Sequence, residues 1–224
     1  MNVTRIRNKP RFGAYKAPML LVVLSLVPVL GGLARLHDLG GGGPITEDNA
    51  RFVAAPAPIL IHIFAATAYS LLGAFQFSRG LRIRWPAWHR IAGRILWVCG
   101  LLSALTGMWM TMAYAIPASL QGPLLYGVRL TVGIAMTAAL ALGLRSILRR
   151  NIAGHEAWMI RAYALGQGAG TQVLLMLPLI LIMGDFPGLK RDIMMTAAWV
   201  LNAVIAEGII RRRRPASSRG ARPG

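Results

Sequence analysis

The stretch RGLRIRWPAWHRIAGRILWVCGLLSALTGMWMTMAY, residues 79–114, decides the fold. Its first part carries Arg79, Arg82, Arg84, Arg90 and Arg94; from Ile95 to Tyr114 there is no charge at all. A run of that length, at about 1.5 Å per helical residue, crosses a hydrocarbon layer of roughly 30 Å. Cations therefore stop where a membrane-sized apolar segment starts.

The same juxtaposition recurs along the chain. Twenty of the 25 Lys and Arg residues fall in four stretches: 1–16, 79–94, 145–161 and 211–224. The three intervening connections hold Asp38, Glu47, Asp48, Asp185 and Asp192, five of the seven acids. Because basic loops are retained on the cytoplasmic side, one topology is consistent with this pattern: six crossings with both termini cytoplasmic. The spans are predicted at about 17–36, 57–78, 91–114, 124–146, 161–184 and 193–210. The fold class is an all-α polytopic membrane bundle, since helices satisfy their own backbone in lipid and no barrel alternation is present. A basic N-terminus (1–16) and a disordered basic tail (211–224) flank the transmembrane domain, 17–210.

Composition excludes other classes. With 55% hydrophobic and 14% charged residues and a mean hydropathy of +0.54, the chain is too apolar for a soluble domain. The net charge of +18 would suggest a nucleic-acid partner elsewhere. Here the bases flank spans, so they read as topology determinants facing anionic inner-leaflet lipids, with no nucleic acid. Cys99 is the single cysteine, so there is no internal disulfide and no thiol-rich metal site. Ala17 to Leu36 suits a span better than the shorter core of a secretory signal.

Gly40, Gly41, Gly42, Gly43 and Pro44 are expected to make the connection from His37 to Pro56 a flexible loop. Trp85, Pro86 and Trp88 among arginines suit a headgroup layer. Pro187 and Gly188 predict a tight turn between the last two spans. No internal repeat is convincing.

Four histidines are available for chemistry. His89 and His155 should lie at the same inner depth, as a bis-histidine b-type haem requires; His37 and His62 lie toward the outer side. Gly93, Gly100 and Gly107 repeat every seven residues on the face of the third span that His89 shares, a stripe suited to helix contact or to a flat ligand. Gly73 follows His62, and Gly166 follows His155, by eleven residues. Interfacial hydrogen bonding also accounts for His89 and His155.

Arg129, about two turns into the fourth span, must snorkel or bind an anionic or carbonyl-bearing ligand near His62. Gln167, Thr171 and Gln172, after Arg161 and Tyr163, make the fifth span the most polar and predict it to be the interior helix, with Gln76 of the second span turned the same way. Gln167 and Gln172 join Arg129 as candidate substrate-binding residues. Glu207 should pair with Arg161 or Arg94. No metalloprotease, phosphate-loop, nucleophile-elbow or acidic metal-binding signature occurs, so neither a catalytic residue nor a metal other than haem iron is assigned.

The segments Trp88-His89-Arg90-Ile91-Ala92-Gly93-Arg94 and His155-Glu156-Ala157-Trp158-Met159-Ile160-Arg161-Ala162-Tyr163-Ala164-Leu165, with His62 before them, resemble the bacterial membrane proteins grouped as domain of unknown function 2306, over roughly 57–184. This resemblance implies a multi-pass protein of the bacterial cytoplasmic membrane and specifies no activity. A looser similarity is to transmembrane b-type cytochromes. Two functional classes follow: a redox protein holding haem or quinone through His89 and His155, with His62 and Arg129 lining an outer site; or a small transporter or assembly partner whose fifth span lines a cavity. A homo-oligomer is compatible with either.

Overall fold

The computed structural model describes residues 13–213, apart from 43, 48 and 185. Among them there are helices and turns and no strand. Helix α1 is Gly13–His37, α2 Ala50–Ala54, α3 Pro56–Gln76, α4 Arg79–Arg84, α5 Pro86–Ala113, α6 Pro123–Leu148, α7 Ile152–Gly166, α8 Gly168–Met183 and α9 Leu189–Arg213. Helices α1, α3, α5, α6 and α9 are each long and apolar enough to cross a membrane, and α7 with α8, bent by 41° at their junction, passes the same test as a pair.

Local chemistry explains the starts of these helices. Pro56, Pro86 and Pro123 open α3, α5 and α6 at the first turn, where a missing N–H costs nothing. Ser78 Oγ accepts from Leu81 N at the start of α4, and Asn151 Oδ1 accepts from Gly154 N (2.8 Å) at the start of α7.

Several expectations are corrected. The glycine-rich segment after His37 is not wholly irregular: Asp38–Gly42 forms a π-helical turn, kinked where Gly41 adopts φ +97°, and α2 follows in the same connection. The 79–90 connection contains α4. Asp192 belongs to the first turn of α9 rather than to a loop, and Arg211, Arg212 and Arg213 continue that helix. Residues 1–12 and 214–224, hence most of both basic terminal segments, lie outside the described residues, as does Asp185.

The fifth span is not one interior helix. Its first half, α7, is interior, packed on α6, α9, α3 and α5; its second half, α8, packs chiefly on α1 and α9 in the wall. The wall closes in the order α1, α3, α5, α6, α9, α8 and back to α1. Leu181 and Ile182 of α8 are 77% and 81% exposed, as a lipid-facing wall requires and an aqueous surface would not tolerate in such numbers.

The glycine stripe of α5 packs helices. Gln76, Tyr69 and His62 of antiparallel α3 repeat every seven residues, and a methyl group placed on Gly93, Gly100 or Gly107 would meet their side chains in that order. Tyr69 and Tyr163 stack obliquely (centroids 5.6 Å apart) in a core with Leu96, Met136 and Leu140. The stripe is thus filled by protein, not left open for a flat ligand.

Candidate functional site

The bend of the fifth span creates a cavity. Where α7 fills the centre of one half of the bundle, α8 veers into the wall, and the centre of the other half is left as a chamber of about 510 Å³. This half lies away from the face where α1 begins and α9 ends. Every wall helix contributes to the lining: Val29 from α1, Ile63 from α3, Met108 from α5, Met136 from α6, Gln172 from α8 and Trp199 from α9. Arg51, Ile116, Leu120 and Arg191, from the connections and first turns at the far face, rim it.

Four of the six residues singled out by sequence, His62, Arg129, Gln167 and Gln172, line this single chamber. Arg129, in the second turn of α6, donates to Gln121 Oε1 just before the helix. It does not simply snorkel away from the bundle. Arg51 and Arg191 line the same chamber and act on it electrostatically. Asp192 is also near, but its carboxylate is 1% exposed and turned to the start of α6, accepting from Gly122 N (3.2 Å) and Leu125 N (3.0 Å). That carboxylate caps α6 from a distant helix, where the amide dipoles favour negative charge.

His62 Nδ1 sits 3.0 Å from the Ser103 carbonyl and 3.0 Å from Thr106 Oγ1. A carbonyl can only accept, so its bond to Nδ1 requires the proton there in the neutral ring and leaves Nε2 as the acceptor. Tyr114, beyond the end of α5, donates to the Ala55 carbonyl (2.6 Å), tying two connections together at the rim.

The floor is a hydrogen-bonded layer at the break. Gln167 Nε2 donates to Tyr163 OH (2.6 Å), which donates to the Ser70 carbonyl (2.6 Å). Ser25 Oγ lies 3.1 Å from Gln167 Oε1. The last turn of α7 leaves carbonyls without helical donors; α9 supplies donors, Asn202 Nδ2 to Ala164 O (3.0 Å) and Trp199 Nε1 to Leu165 O (3.2 Å). Thr171 Oγ1 in turn donates to Asn202 Oδ1 (2.9 Å). Gly168 and Gly170 let α8 lie directly against Trp199 and the Leu24 backbone.

His89 and His155 are brought within electrostatic range of each other at the other end of the bundle, together with Arg82 and Arg90. His155 is inside the first turn of α7, not before it, with Nδ1 2.9 Å from the Gly143 carbonyl. His89 Nδ1 is enclosed without a hydrogen-bond partner, as is Gln76 Nε2. Glu207 pairs with Arg161, and Arg213 at the end of α9 pairs with Glu156. Among the described residues no three His, Cys, Asp or Glu side chains converge as a metal site. Missed in the sequence are Arg51, Arg191, Trp199 and Asn202. Arg51 and Arg191 show only charge near span ends, which many surface residues share, whereas Asn202, a polar group in the middle of the last span, carries the signal that marks Gln167.

The family model for predicted membrane proteins, DUF2306, matches residues 59–210. The chain belongs to that family, and it is a multi-pass membrane protein. The match begins within α3 and ends at Ile210, near the end of α9, so it takes in α5 to α8 whole and leaves out α1. No curated protein and no solved structure matches the chain.

Proposed function

We propose that this member of the family is a small-molecule carrier of the bacterial cytoplasmic membrane, with its binding chamber in the half of the bundle away from the chain ends. The 41° break of the fifth span at Gln167 carries the reading. Broken helices at mid-membrane are the usual way transporters expose backbone and polar side chains to a substrate. Here the break gathers Gln167, Gln172, Arg129 and His62 around one chamber while α7 plugs the other half. The basic stretches direct the chain-end face to the cytoplasm and its anionic lipids, so the chamber faces outward. Chamber residues bind the substrate; no catalytic residue is needed.

A carrier must offer its chamber to both sides in turn. In a Cys99→Ser background, Ala66→Cys, which lines the chamber, should react with a membrane-impermeant thiol reagent from the outer face quickly and from the inner face slowly. Labelling from the outer face alone under all conditions would overturn the carrier in favour of a one-sided receptor.

A second reading keeps His89 and His155 as ligands of b-type haem, or as a quinone site. It is favoured by the Gly143 carbonyl on His155 Nδ1, the arrangement that fixes a ring with Nε2 available to a metal. A reduced-minus-oxidised visible spectrum of purified protein should then show a Soret band weakened in His89→Ala. Colourless protein from haem-replete cells overturns the haem version and leaves only quinone.

A further inference from the structure

The chamber combines a cationic group with a largely apolar wall. Arg129 sits inside a membrane span, and among the described residues its only hydrogen-bond partner is the neutral amide oxygen of Gln121, with no carboxylate in ion-pair contact. The nearby acid, Asp192, has both oxygens engaged by Gly122 and Leu125 amides. A guanidinium has five N–H donors in a planar fork matched to carboxylate and phosphate oxygens. A cation at that depth, bonded to a neutral amide and with its nearest carboxylate, Asp192, out of ion-pair contact, gains from a further negative charge.

Much of the remaining wall is apolar. Val29, Ile63, Ala104, Met108 and Met136 contribute to it, and the unbranched thioether side chains of the two methionines adapt to varied shapes. A volume of about 510 Å³ lies within the range of cavities that enclose organic ligands of drug size. An inorganic anion at Arg129 would leave most of that space and all of the apolar wall unused. His62, Gln167 and Gln172 add neutral polar groups to the same lining.

We propose that the ligand of this chamber is an amphiphilic organic acid, a carboxylate or phosphate monoester on a hydrocarbon body, with its head at Arg129 and its body against Met108 and Met136. This inference names the substrate class of the chamber and rests on the reading of the chamber as a binding site. Free amphiphile in water and amphiphile dissolved in the membrane share this chemistry and differ only in their route of entry.

The test uses the full chain in nanodiscs, titrated calorimetrically with dodecanoate, dodecyl phosphate, dodecanol, inorganic phosphate and a short-tailed quinone, with empty nanodiscs as the partition baseline. Saturable binding of the two acids at least tenfold tighter than of dodecanol, phosphate or quinone is expected, and Arg129→Gln should abolish that preference. Equal binding of dodecanol or quinone overturns the acid class, and so does an undiminished preference in Arg129→Gln. Should Arg129→Gln fail to fold, the acid-against-alcohol comparison on the unaltered chain still decides. Entry route is read by delivering dodecanoate from donor vesicles or from solution and comparing association rates. Proteoliposomes that bind dodecanoate but do not exchange it across the bilayer would overturn the carrier and leave the ligand class standing.

Discussion

Arg161 holds Glu207 through two hydrogen bonds, Nε to Oε1 at 2.5 Å and Nη2 to Oε2 at 3.0 Å, joining α7 to α9 near the chain-end face. The guanidinium also lies over the Trp158 ring, 4.6 Å from its centroid. Bidentate geometry with a planar guanidinium is the strong form of this interaction. Glu207→Ala should lower unfolding stability by about 1.5–3 kcal/mol, measured by thermal unfolding in nanodiscs. The double variant with Arg161→Ala should cost less than the sum of the two single changes; simple additivity would show that the pair is not coupled.

The antiparallel seam of α3 and α5 predicts a position-dependent glycine series. A methyl group at Gly100 would stand 2.7 Å from Tyr69 Cε2, within the buried core. Gly100→Ala should therefore destabilise by about 1–3 kcal/mol through overpacking. Gly127→Ala, in helical α6 with nothing within 4 Å, should stabilise by about 0.5–1 kcal/mol. Equal effects at the two sites would contradict the packed seam.

Asp192 caps a helix that begins 70 residues before it in sequence at Gly122. Asp192→Ala leaves the half-buried Gly122 amide and the buried Leu125 amide without acceptors and should cost about 1–2 kcal/mol. Asp192→Asn can serve only one amide through its oxygen and should fall between the two. Hydrogen exchange at Leu125 is the local readout, expected to quicken more than exchange in α3.

Asn202 maintains the break. In Asn202→Leu the Ala164 carbonyl and the Thr171 hydroxyl lose their partners in an apolar setting, which should cost about 1–3 kcal/mol. Exchange should quicken at the start of α8 while α5 is unaffected. If α5 loosens equally, Asn202 acts on the whole bundle rather than on the break.

The chamber was only partly legible in the sequence. Arg129, Gln167 and Gln172 stand out because polar groups in a span must face protein or water, and His62 stands out as a titratable group in an apolar run. An outer site shared by His62 and Arg129 is expected from their depth; that Gln167 and Gln172 line the same cavity did not follow, since membrane depth gives height and no azimuth. The packing of α9 beside α6 brings Arg191 toward Arg129.

Sequence alone determined that the chain is an all-α bundle of several membrane-length apolar helices, because a bilayer fixes the length of an apolar run and charges mark its ends. Glycines seven residues apart marked one face of α5 for close contact without naming what meets it, and Glu207 was expected to meet a basic residue such as Arg161. Tertiary structure alone decided the break at Gln167. Gly166, Gly168 and Gly170 weaken the helix there, yet α5 holds three glycines without breaking. The difference is non-local: α9 places Asn202 and Trp199 where they can take up the Ala164 and Leu165 carbonyls, so that the chain can bend in lipid without orphaned backbone groups.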